Sequence, residues 1–175
     1  MMLAVTTFSI RPGGTPKVKG KLAEALQSPP LATAAPVTLA TEIGEVNTLT
    51  CLFACADISE DLQALKAWID PIYSSEIAGL LRSVTVDLFS AEADSARLQA
   101  MVAPGVAAVL LQEYTAFNGP SRPEQLRLTS HTGRHGMDWI LTPVATPDDA
   151  LALSLQATNS APGELLRSRM LLPVR

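Results

Sequence analysis

The residues of this chain that could do chemistry come as small polar groups set in apolar surroundings. In the stretch Glu42-Ile43-Gly44-Glu45-Val46-Asn47, an acid and an amide flank a glycine-bearing turn. A two-residue hairpin loop at Gly44-Glu45, with glycine first, suits a type II′ turn and a positive φ at Gly44. Glu42 then falls opposite Asn47, Ala40 opposite Leu49 and Thr38 opposite Cys51. This register predicts one face carrying Glu42, Asn47, Leu49, Cys51, Phe53 and Cys55. A carboxylate beside an amide at a sheet end could orient a ligand, and equally suits a solvent-exposed cross-strand pair next to a turn. Gln112 and Tyr114 make a second pair on alternate positions of a strand. Tyr114 could serve a pocket as an acid or hydrogen-bond donor, or pack with its hydroxyl satisfied.

Other groups point away from catalysis. His131 and His135 have the i, i+4 spacing of helical metal ligands, but Gly133 lies between them and Gly136 follows. With no acid or cysteine ligand nearby, they read as an exposed loop and no metal site is expected. Arg134 in that loop could meet an anionic ligand. Cys51 and Cys55 share a strand, which separates their Cα atoms by about 13 Å. A disulfide needs less than about 7 Å, so both read as buried thiols. Asp148 and Asp149 read as charges at a helix N-terminus. No serine-histidine-acid motif, phosphate-cradling glycine loop or close carboxylate pair is present, and no cofactor is implied.

The elements that would hold these residues follow from periodicity. Strands are expected at 3–10, 37–43, 46–56 and 83–90, and helices at 18–26 and from Asp57 or Ser59 to about Trp68. The segment 70–81 reads as a loop with one helical turn. This β-α-β-β-α-β order is the ferredoxin-like unit, an α+β fold. The remainder reads as a helix at 94–102, a strand at 106–117, strands at 125–130 and 137–144, a helix capped by Thr146 with Pro147 behind it, and a last strand at 169–174. Two units are therefore expected, 1–91 and a degenerate 92–175 without a full first helix. Both faces of the hairpin at 37–56 carry apolar residues, so helices must cover one and a second sheet the other.

The chain of 175 residues is 47% hydrophobic, enough for a real core, while 17% charge and a net charge of −4 leave no basic footprint for nucleic acid. The N-terminus lacks a basic leader region and no apolar run reaches membrane-span length, which predicts a soluble cytoplasmic protein.

The opening "TTFSIRPGG" resembles the arginine-threonine-tyrosine-threonine-leucine-lysine-proline-glycine pattern of NIPSNAP domains, with Thr7, Ser9, Ile10, Arg11, Pro12 and Gly13 matching or nearly so. "TEIGEVNTLTCLFACADISED" is similar to the hairpin of that family, and Asp70-Pro71-Ile72-Tyr73 to its aspartate-proline-x-tryptophan segment. "QEYTAFNG" at 112–119 resembles a weaker second copy of the opening. The resemblance implies a dimeric α/β-barrel fold of two ferredoxin-like units. It also implies a small, mainly apolar ligand between the sheets, with cofactor-free oxygenase-like activity as the fold-level analogy. The alternative is a non-enzymatic scaffold that uses the barrel to assemble, with optional homo-oligomers formed through remaining edge strands or helix faces. Thr6, Phe8, Phe53, Ala54 and Cys55 stand where the family has arginine, tyrosine, tryptophan, arginine and tyrosine, which predicts shape-based binding rather than acid–base chemistry. Parity and the resemblance together predict that Thr6, Phe8, Phe53, Gln112 and Tyr114 face the space between the sheets, and that Leu22 and Leu65 face the helix-covered core. Trp68 and Trp139 are expected in the core or against a partner.

Overall fold

A computed structural model describes residues 1–31, 38–42, 45–92, 95–101, 103–131, 137–160 and 163–173. The elements are β1 (Met2–Ile10), α1 (Thr15–Ala25), β2 (Thr38–Glu42), β3 (Glu45–Cys55), α2 (Ile58–Tyr73), β4 (Leu81–Ala91), α3 (Ser95–Ala100), β5 (Ala108–Phe117), β6 (Leu126–Ser130), β7 (Asp138–Val144), α4 (Pro147–Ser160) and β8 (Gly163–Pro173). The strands pair antiparallel and close a barrel in the order β1-β3-β2-β8-β5-β7-β6-β4. Half of that ring, β4-β1-β3-β2, belongs to the β-α-β-β-α-β segment. The other half, β8-β5-β7-β6, has the same order counted from β5, but no helix separates β5 from β6.

Helix ends follow local chemistry. The Asp57 carboxylate accepts from the backbone N–H groups of Ser59 (2.9 Å) and Glu60 (3.1 Å), and Asp61 reaches back to the N–H groups of Ala56 (2.7 Å) and Asp57 (3.1 Å). α2 outruns its expected end, continuing through Pro71 to Tyr73. Pro71 sits in the last turn, buried Ile72 anchors that turn in the core, and the Ser74 N–H closes it on the Asp70 carbonyl at 3.0 Å. At α4 the Asp149 N–H donates to Thr146 Oγ1 (3.2 Å), while Thr146 Oγ1 donates to Asp149 Oδ2 (2.8 Å).

β8 begins six residues before the expected 169, at Gly163. Arg167 and Arg169 stand on its inward side, where an apolar residue would have signalled a strand. A Cβ at Gly163 would lie 1.9 Å from the Ala116 carbonyl oxygen. Only glycine lets β8 approach β5 that closely.

Alternation along the strands builds a two-sided core. Leu3, Val5, Leu52, Phe89, Leu111 and Leu141 belong to the cluster inside the barrel, joined by Leu98 of α3 and by Met101. Phe8, Ile10, Leu49, Cys51 and Phe53 face outward and pack under α1 and α2 with Val18, Leu22, Leu65 and Ile72. Both faces are apolar because one is covered by helices and the other by the far wall of the barrel. Leu22 and Leu65 lie where the sequence put them.

The hairpin register differs from expectation. Glu42 pairs with Glu45 rather than Asn47, and a bulge between Thr41 and Glu42 sets Thr41 opposite Leu49 and Ala40 opposite Thr50. A slip of one residue exchanges the faces of a strand relative to its neighbour. Gly44 lies outside the described residues, as does the side chain of Glu42.

Candidate functional site

The outer face of β5 and β7 is built differently from that of β1 and β3. α4 lies across it alone: Leu110, Ala108 and Val144 pack against Ala150 and Leu153. Further along the strands the cover runs out. A cavity of about 180 Å³ opens there, walled by Gln112, Tyr114, Phe117, Ile140 and Leu153, with Arg122 and Gln125 among the loop residues that line it. β5 supplies Gln112 and Tyr114 on the parity of Leu110, while Val109 and Leu111 turn into the barrel.

The lining is mixed, with Gln112, Tyr114, Gln125, Thr142 and Gln156 beside the apolar Phe117, Ile140 and Leu153. Gln112 is 5% exposed, and its amide nitrogen has no hydrogen-bond partner. The Tyr114 ring stands edge-on to Phe117, with centroids 5.1 Å apart, and burial pushes its phenol pKa up, so the hydroxyl stays protonated. Gln125 donates to Thr142 Oγ1 (3.2 Å) and accepts from the Arg122 N–H (3.0 Å), tying the 118–125 loop to β7.

A second network braces the same loop. Asp138 accepts from the Phe117 N–H (3.0 Å), Thr129 Oγ1 (2.8 Å) and Arg127 Nη2 (3.0 Å). Burial raises its pKa, but these three hydrogen bonds and the Arg127 charge outweigh that, and the net shift is downward. The Arg127 guanidinium also lies over the Phe117 ring, 5.4 Å from its centroid.

Of the residues singled out from sequence, Gln112 and Tyr114 meet in this cavity. They do so on the outer side of the sheet, not in the space between sheets. Phe8 and Phe53 also face outward, edge-on to Trp68 at 6.3 and 5.5 Å, because the largest outward side chains of β1 and β3 are matched by Trp68 and Leu65 of α2. Thr6 follows them, paired with Cys51 and Val86. Asn47 accepts a hydrogen bond from Thr15 Oγ1 at 3.4 Å, joining β3 to the start of α1. The structure does not bring these four to the cavity.

Trp139 lies inside the barrel against Phe89, with centroids 4.5 Å apart. Cys51 and Cys55 are free thiols whose pKa values burial pushes up, aided at Cys55 by the Asp61 charge and opposed there by a hydrogen bond with the Ala4 backbone. His131 is exposed, and Arg134 and His135 lie outside the described residues.

Sequence reasoning missed a charged cluster on the inward face of β5 and β8, buried at Glu113 and open to solvent at Arg167. Glu113 is 4% exposed and bonds Arg169 (2.8 Å) and Arg167 (3.3 Å), and Arg169 also lies over Trp139 at 5.4 Å. The signal was available: Arg167 and Arg169 alternate with Ser168, the period of a strand whose inward face is charged. It missed the cavity residues Phe117, Ile140 and Leu153 as well, since apolar types at core positions carry no mark of a pocket.

No protein-family model matches the chain, and no curated protein matches its sequence. Among solved structures, the chain is similar to a putative chlorite dismutase, with a TM-score of 0.58 at 7% identity over 100% of this chain and 96% of that one. At that identity the likeness is one of fold: a ferredoxin-like α/β barrel. No helix among the described residues is long and apolar enough to cross a membrane.

Proposed function

We propose that this is a NIPSNAP-like protein of two tandem ferredoxin-like units, 1–91 and 92–175, that binds one small, mainly apolar molecule in the cavity beneath α4. The opening motif and the hairpin motif support the family reading, and the shared strand order of the two half-rings supports the repeat. The observation that carries the binding reading is the cavity itself, walled by Gln112, Tyr114, Phe117, Ile140 and Leu153 where the cover of α4 runs out. An apolar cavity of about 150 Å³ holds benzene. The 180 Å³ here therefore suits a molecule of one ring or similar bulk.

Tyr114 and Arg122 are the only ionisable side chains among the described lining residues, and burial keeps Tyr114 protonated. Neither is a general base at neutral pH, so the site reads as a binder rather than an oxygenase-like catalyst. The scaffold reading has its own observation. Leu151 and Leu155, one turn apart on α4, are 58% and 59% exposed, a surface suited to homo-oligomer assembly. A cytoplasmic location completes the proposal.

Calorimetric titration with benzamide tests the binding reading. Saturable 1:1 binding of about millimolar strength is expected, and it should vanish in Leu153→Trp, where an indole fills the cavity. Heats of dilution alone in the wild type would remove the binding reading.

A further inference from the structure

We infer that β4 pairs edge to edge with β4 of a second copy of this chain, antiparallel and about a twofold axis at Thr85. The inference gives the assembly reading a surface and is independent of the cavity. Its basis is an open stretch of strand in an otherwise closed barrel. β4 pairs with β1 from Leu81 to Ser90, but with β6 only from Phe89 to Ala91. Among the described residues no strand meets 81–87 on the side away from β1. Backbone direction alternates along an antiparallel strand. Ala91 and Met1 exchange backbone bonds, whereas the Leu88 carbonyl accepts from the His131 N–H at 2.8 Å. Even-numbered residues of β4 therefore aim N–H and C=O away from β1, and Val84 and Val86 present theirs at the open edge. Arg82, Ser83 and Thr85 are exposed. An edge of this kind is a template for another strand.

β8 overhangs in a similar way, since β2 reaches it only from Leu171 to Pro173, but its edge is guarded. Register shifts interrupt its pairing with β5 on both sides of Tyr114, and Arg167 and Arg169 put like charges on its inward side. Bulges and inward charges keep natural edges apart. β4 instead holds one register with β1 from Ser83 to Ser90. In a twofold antiparallel pair centred on Thr85, Thr85 faces its own copy, Val84 faces Val86 of the second copy, and Ser83 faces its Asp87. Opposed residues then have equal parity and share a face of the joined sheet. Threonine pairs, β-branched pairs and a hydroxyl opposite a carboxylate all favour such a pairing. No like charges stand opposite one another. On the outer side, a cleft lined by Ile69 and Tyr73 of α2 and by Arg82 and Val84 borders the same edge. Tyr73 is 45% exposed there, and Val86 of the second copy would enter beside it.

Sedimentation velocity tests the pairing. An interface of one short edge is small and weak, so the dimer fraction should rise between about 5 and about 500 µM protein. Val86→Lys puts a charge on the edge, and Val84→Pro removes an outward N–H at a position where an edge strand tolerates proline. Both should stay monomeric throughout that range, with far-UV circular dichroism like that of the wild type. If Val84→Pro does not fold, Val86→Lys alone carries the comparison. Thr85→Cys should give a disulfide-linked dimer on mild oxidation, because non-hydrogen-bonded antiparallel partners lie about 4.5 Å apart at Cα, within reach of a disulfide. A wild type that stays monomeric at every concentration would overturn both the β4 pairing and the assembly reading. A dimer that survives Val86→Lys and is lost in Leu155→Lys would place assembly on α4 and overturn the β4 pairing alone. A dimer in which Thr85→Cys does not cross-link would overturn the register about Thr85.

Discussion

The outer faces of the two half-rings start from similar strands and end differently. Under α1 and α2, the face of β1 and β3 buries Phe8, Phe53, Leu49 and Cys51 against two helices, and Trp68 fills the seam while donating its indole N–H to the Ala25 carbonyl at 3.2 Å. Across the barrel, α4 covers the face of β5 and β7 alone. The segment between β5 and β6, where the first half carries α1, is the proline-bearing 118–125 loop. A loop cannot present the apolar stripe of a helix, so Gln112, Tyr114 and Phe117 stand round a gap. One missing helix separates a packed core from a cavity on otherwise equivalent sheets.

Substitutions can break that comparison. The largest effect is expected at Phe53→Ala, which would open a void beneath two helices and cost about 3–5 kcal/mol in urea unfolding. A loss under 1 kcal/mol would mean that the first face is loosely packed as well. Next comes Asp138→Asn, which weakens the brace on the loop and should cost about 1–3 kcal/mol at pH 7. Because the folded pKa of Asp138 is lowered, the stability it contributes is present above the unfolded carboxyl value and lost as pH falls through the folded one. The gap between wild type and Asp138→Asn in urea midpoint should therefore narrow below about pH 4. A gap constant down to pH 2 would show that the carboxylate charge plays no part.

Leu153→Ala should cost about 1–2 kcal/mol, less than a typical buried leucine, because its side chain already borders empty space. A loss of 4 kcal/mol would put Leu153 in a closed core. The smallest effect, and the one of opposite sign, is Gln112→Leu. Replacing an unpartnered buried amide by an apolar group of similar size should stabilise the free protein by about 1 kcal/mol. Thermal unfolding that shifts downward instead would mean that the amide is satisfied.

Much of this architecture was legible in the chain. The β-α-β-β-α-β order, the caps at Asp57 and Thr146, and the need for cover on both faces of the hairpin follow from turn chemistry and periodicity. The choice of face did not. With Phe53 and Leu52 on opposite sides of one strand and both apolar, nothing local says which meets helices and which meets the barrel interior. That was decided by Trp68 and Leu65, distant in sequence, and the bulge at Thr41/Glu42 shifted the one register argument available. For the same reason Gln112 and Tyr114 were recognisable as a polar pair but were assigned to the wrong side of the sheet. The inward charges of Glu113, Arg167 and Arg169 ran against the expectation of an apolar barrel interior, which hid the first part of β8.

The central claim is that the ligand site lies on the outer face beneath α4 and not between the sheets. Backbone amide chemical shifts of ¹⁵N-labelled protein titrated with benzamide test it most directly. Saturable shifts should cluster at Gln112, Tyr114, Phe117, Ile140 and Leu153 and spare Phe8, Phe53, Leu52 and Leu111. Shifts centred instead on Leu52, Leu111 and Leu141 would place the ligand inside the barrel and contradict the account.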